Sequence, residues 1–125
     1  MSGRVVHFEI PFDDGDRARK FYREAFGWNI TEIPEMHYSI VQTGPTVEGG
    51  FPAEVGYIGG GMLKRESPTD RPVITIDVDD IDEALATIES LGGMTVLGRQ
   101  EVGEVGYAAY FRDVEGNLMG LFQDR

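Results

Sequence analysis

The chain has 125 residues, 22 acidic against 11 basic side chains, a formal net charge of −11 and no cysteine. Binding to nucleic acid or to an anionic membrane needs clustered cations, and the few here are scattered, which argues against both partners. The missing cysteine excludes disulfides, thiolate metal sites and cysteine nucleophiles.

A hydrophobic fraction of 41% supports one globular domain over residues 1–125. No apolar run reaches membrane-spanning length. The strand pattern starts by Arg4, which leaves no space for the apolar core of a signal peptide, so a cytoplasmic location is the expectation.

Val5 to Ile10 alternates and is rich in β-branched and aromatic residues, the mark of a strand. Pro11 ends it, and Asp13-Asp14 offers helix N-caps rather than a catalytic carboxylate pair. Ala18, Phe21, Tyr22 and Ala25 then form one apolar helical stripe that Gly27 stops, with Trp28 as a packing anchor. Asn29 to Ile33, Tyr38 to Thr43 and Val55 to Leu63 read as three strands, and Thr43 to Glu54 as irregular chain.

The same order then returns. Val73 to Val78 is a strand, and Asp80 with Glu83 makes a capping-box-like start. Ile81, Ala84, Leu85, Ile88 and Leu91 form the helical stripe, which Gly92-Gly93 ends. Met94 to Arg99, Gly106 to Arg112 and Leu118 to Gln123 are strands, the last two joined by a tight turn at Asp113 to Asn117. Asp80 follows Asp14 by 66 residues, about half the chain, which is the period of a duplicated supersecondary unit. The fold expected is α+β: tandem β-α-β-β-β modules, about 1–66 and 71–125, forming a curved mixed sheet around a cavity with helices outside.

In these motifs the chain resembles the vicinal oxygen chelate superfamily of glyoxalases, bleomycin-resistance proteins and extradiol dioxygenases. The resemblance rests on the tandem modules, on His7-Phe8-Glu9-Ile10-Pro11 leading into Asp13-Asp14, on Phe21-Tyr22 before Phe26-Gly27-Trp28, and on Phe111-Arg112-Asp113 before Glu115-Gly116-Asn117. It implies a homodimer. It also implies that metal-using members draw His, Gln or Glu ligands from the first and last strands of each module.

Taken position by position, that ligand pattern is thinly filled. His7 stands at the first-strand position, but its second-module equivalent is Val73, the last-strand position holds Gly120, and Val55 to Leu63 offers no carboxylate, His or Gln. Three or four converging ligands are needed to hold a divalent ion with open positions. The expectation is therefore no cofactor and no metal. The residues expected to line a ligand site are His7, Glu9, Tyr57, Met62, Val73, Tyr110, Gly120 and Phe122, with His7 as the one candidate for catalysis. The function expected is a metal-free small-molecule-binding protein of the glyoxalase or bleomycin-resistance type. The alternative is a lyase, isomerase or dioxygenase-type enzyme acting on a small oxygenated metabolite through His7, with or without a divalent metal.

Overall fold

The computed structural model describes residues 3–125. The chain divides into two compact units, His7–Pro72 and residues 3–6 with Val73–Arg125. The first holds β1 (Val5–Phe12) from His7 onward, α1 (Gly15–Phe26), β2 (Asn29–Ile33), a 3-10 turn (Pro34–Met36), β3 (Tyr38–Gln42) and β4 (Gly59–Lys64). Its strands lie in the order β2-β3-β4-β1, with β1 parallel to β4 and the other pairs antiparallel. The second holds β5 (Val73–Asp77), α2 (Ile81–Ser90), β6 (Met94–Val102), β7 (Gly106–Arg112) and β8 (Leu118–Asp124). Here β6-β7-β8-β5 is the order, with β5 parallel to β8. Each unit is the same β-α-β-β-β arrangement, so the fold is α+β and the duplication is real at the level of topology.

Side chains alternate across a strand, and each sheet therefore has a helix side and an open side. In the first unit Phe8, Ile10, Ile30, Val41 and Met62 pack with Ala18 and Tyr22 of α1. In the second, Ile76, Ala109, Phe111 and Leu121 pack with Ile81 and Leu85 of α2. The remaining positions of each strand, His7 and Glu9 among them, fall on the open sides.

Three sequence expectations shift. The fourth strand begins at Gly59 rather than Val55, and Val55 is 99% exposed. Gly56, at a positive φ, interrupts that run, and a sheet position for Val55 would need a partner the loop does not supply. The stripe of α1 is also narrower than its spacing suggests. Phe21 is 58% exposed and Ala25 is exposed, whereas Arg19 is buried. Its guanidinium is satisfied there by Asp16 at 2.8 Å and Ser39 Oγ at 3.2 Å, and its stem covers apolar surface. Finally, β6 continues past Arg99 to Val102, pairing with β7 through an irregular register.

Both helices start on the aspartates expected to cap them. Asp14 Oδ1 accepts from the Arg17 backbone N–H at 3.1 Å, and Asp80 Oδ1 from that of Glu83 at 3.0 Å. Asp13 instead meets Arg65 at 3.1 Å between exposed side chains. Asp14→Ala and Asp80→Ala should each lower stability by about 1 kcal/mol, while Asp13→Ala should change it by less than about 0.5 kcal/mol. Urea unfolding of the three variants reads this directly. Equal losses at all three would contradict the cap assignment.

Candidate functional site: a histidine, tyrosine and glutamate on the open sheet side

The open side of the first unit carries its one concentration of linked polar chemistry among the described residues. His7 and Glu9 share a face because they lie two apart on β1. Their parallel partners on β4 are Gly59 and Gly61. Beyond β4 lies β3, whose first residue is Tyr38, paired with Leu63. The Tyr38 hydroxyl stands 2.8 Å from His7 Nε2 and donates to Glu9 Oε2 at 2.8 Å. The His7 and Tyr38 rings are nearly parallel, at an interplanar angle of 13°. Glu9 is only 8% exposed, so its carboxylate depends on such partners.

This reach across a strand has a steric condition. Neighbouring strands are about 4.8 Å apart, so β3 and β1 are separated by about twice that, and a tyrosine spans the gap only by lying flat over β4. A Cβ at Gly61 would fall within the Tyr38 ring and hydroxyl. The glycine is therefore the floor on which the phenol rests.

Burial pushes the His7 imidazole below its usual range, against the weaker opposite pull of the Glu9 carboxylate. The ring is thus neutral at neutral pH, and it can accept a proton without first having to lose one.

The second unit shows what the repeat does with the same positions. Moving 66 residues from Glu9 gives Thr75, whose partner on β8 is Gly120. Gly61 and Gly120 are thus equivalent, and both modules place a glycine where metal-using relatives would need a side-chain ligand. Thr75 Oγ1 would lie 2.7 Å from a Cβ at Gly120, so threonine occupies the room here that tyrosine occupies over Gly61. Tyr110 pairs with Gly120, and Phe122 with Ala108. Val73, Tyr110, Gly120 and Phe122 all fall on the open side of the second sheet, and Val73 is 1% exposed. In the first unit the first-strand and last-strand positions supply one imidazole and one glycine, and in the second unit a valine and a glycine. Neither unit's set fits a divalent ion, which needs three or four ligands, and no group of three or more His, Cys, Asp and Glu side chains is arranged to hold one among the described residues.

The other expected site residues lie elsewhere. Met62 is fully buried on the helix side, packed with Ile30 and Val41, and faces away from His7. Tyr57 precedes β4, lays its ring against Gly44 and donates its hydroxyl to the Pro45 carbonyl at 2.6 Å. Trp28 stacks on Tyr22 at 4.9 Å and 5°, a packing role. A hollow of about 730 Å³ beside the start of α1 is lined by Phe12, Asp16, Arg19, Glu32 and Lys64 among others. Its buried cation is already held by Asp16, Ser39 and the Phe12 ring.

Tyr38 is the residue that sequence reasoning missed. The only available signal was a tyrosine opening a strand in a module that also carries three consecutive glycines. The register that brings them together is not written in either segment alone.

Two outcomes follow. Gly61→Ala should expel the Tyr38 ring and break both hydrogen bonds, lowering stability by roughly 1–3 kcal/mol. NMR would show displaced His7 and Tyr38 side-chain resonances in a folded protein; unchanged resonances would refute the stacked geometry. The second concerns acid. As pH falls through about 6.5, an unfolded His7 takes up a proton that the folded chain refuses until lower pH. The stability present above that range is therefore lost as pH drops. Urea midpoints measured from pH 7.5 to 5 should fall further for the parent than for His7→Gln. Parallel curves would contradict a lowered imidazole.

Comparison with known proteins agrees with this architecture. The model for a bleomycin-resistance-protein-like N-terminal region matches residues 4–44. A glyoxylase-like domain-containing protein of Didymella fabae is 30% identical over 126 residues, covering 97% of this chain and 94% of that one. CFP32 of Mycobacterium tuberculosis, which carries the name glyoxylase, is 27% identical over 115 residues. That match takes in 92% of this chain but 43% of CFP32, so the chain spans less than half the length of that relative. Among solved structures, Streptomyces coelicolor methylmalonyl-CoA epimerase bound to 2-nitronate-propionyl-CoA superposes with a TM-score of 0.69 at 19% identity, over 99% of this chain and 96% of that one. A hypothetical protein of Bacillus halodurans gives 0.68 at 15% identity, over 100% and 96%. The repeated β-α-β-β-β units, the motifs around His7 and the full-length glyoxylase-like relative together place this chain in the vicinal oxygen chelate superfamily.

Proposed function

We propose that the chain is a metal-free small-molecule-binding protein whose ligand meets the open side of the first unit at His7. The observation that supports this reading most is the side-chain link among His7, Tyr38 and Glu9. It commits the one imidazole at a family ligand position to a phenol. It leaves a polar, partly accessible spot on an otherwise open sheet side, the usual make-up of a small-molecule site.

Charge narrows the ligand. The epimerase neighbour binds a CoA compound, which is polyanionic. A chain of net charge −11 repels phosphates at long range, and Glu9 adds a buried negative charge at the site itself. The ligand that suits this chain is neutral or cationic.

The same link favours a second reading, an isomerase-type enzyme on a small oxygenated metabolite. A neutral histidine backed by a carboxylate through a phenol is chemically able to take a proton and have the resulting charge balanced. The two readings part on turnover: solvent deuterium entering the carbon frame of a bound ligand belongs to the second alone.

A thermal-shift panel of neutral, cationic and anionic organic molecules, with Zn²⁺, Mn²⁺ and Ni²⁺ alongside, tests the proposal. A ligand at one hundred times its Kd adds about 2.7 kcal/mol of stability. We expect a neutral or cationic organic molecule to raise the Tm of the parent and to leave His7→Ala unmoved, and the metals to raise neither. A ligand that stabilises both proteins equally, or stabilisation by metal alone, would overturn it.

A further inference from the structure

The hydrogen bonds at His7 fix more than its position. The Tyr38 hydroxyl has one proton. An ionised carboxylate accepts only, so that proton points to Glu9 Oε2. The phenol oxygen is left as an acceptor toward His7 at 2.8 Å. His7 must then donate from Nε2, and a neutral imidazole that carries its proton on Nε2 keeps a lone pair on Nδ1. Reversing the chain would set a phenol oxygen and a carboxylate oxygen 2.8 Å apart with no proton between them.

The second nitrogen is reachable. Among the described residues the His7 side chain makes one hydrogen bond, through Nε2. Among the described residues no buried side-chain nitrogen or oxygen lacks a partner. His7 is half-buried, so an unpartnered Nδ1 is open to solvent, or to a ligand in its place.

We infer that this site takes its ligand through a hydrogen-bond donor to His7 Nδ1, and that Tyr38 and Glu9 are positioning residues that set the tautomer. The ligand class is a neutral molecule presenting a hydroxyl or an amide N–H. Carboxylates, phosphates and bare carbonyls meet a lone pair where they need a donor. A site built to pair a donor discriminates strongly against the analogue lacking it, because its own polar atom is left unpaired. The inference rests on the reading of this side as the ligand site.

The test is long-range ¹H–¹⁵N correlation of the His7 ring at pH 7.5, in the parent, Tyr38→Phe and Glu9→Gln. Tyr38→Phe keeps the ring over Gly61 and removes only the hydroxyl. The parent should show the Nε2–H form alone. Both variants should show a mixture, since the first loses the acceptor and the second frees the phenol to point either way. An Nδ1–H parent, or a tautomer unchanged in Tyr38→Phe, would overturn the positioning role. The ligand class is read with a matched pair of probes, 4-methylphenol and its methyl ether, titrated to tens of millimolar. We expect the phenol to move the Nδ1 resonance and the ether to leave it in place. Equal shifts from both would sink the donor requirement while leaving the binding site standing. A correct tautomer with no shift from either probe would count against the binding site itself, and the ligand class with it.

Discussion

A hydrogen atom in place of a side chain at Gly61 lets a tyrosine from β3 cross β4 and reach β1. The chemistry of the open side depends on that clearance. With the phenol lying flat over the glycine, one hydroxyl serves two partners that share a strand, His7 and Glu9. Any side chain at residue 61 would lift the ring. The carboxylate would then lose a donor in a half-dry setting, and the imidazole would lose the contact that fixes its proton. A backbone feature of β4 thus controls the protonation geometry of a residue on β1.

The duplicated architecture explains why such a substitution is available. Each module presents the same register, a first strand parallel to a last strand, with one facing pair at Glu9 and Gly61 and its counterpart at Thr75 and Gly120. At the last-strand positions, where metal-using members of the superfamily need a ligand side chain, both modules here have glycine. The vacated room is filled by Tyr38 in one and by Thr75 in the other. In the first unit the tyrosine links His7 and Glu9.

Much of this was legible in the sequence, for identifiable reasons. Local signals carry helix ends, so Asp14, Gly27 and Asp80 could be assigned from their neighbours alone, and each has the role expected. The repeat could be read because its period is long and its strands alternate cleanly. The α1 stripe misled because a buried Arg19 does not look apolar, although its partners Asp16 and Ser39 make it a core residue. Met62 looked like a pocket wall after three glycines. The face of a strand residue is set by register, however, and one step along β4 separates the helix side from the open side. Tyr38 was invisible as a site residue for the same reason: its link to His7 spans 31 residues and needs two strand pairings to be known at once.

The metal-free proposal rests on the tyrosine that lies over Gly61 and meets His7 in the first unit. Elemental analysis of the purified full chain, dialysed without chelator, tests it most directly. Zn, Fe, Mn, Ni and Co should each fall far below one ion per chain, in the parent and in Gly61→Ala alike. One firmly held ion per chain in the parent would contradict the proposal.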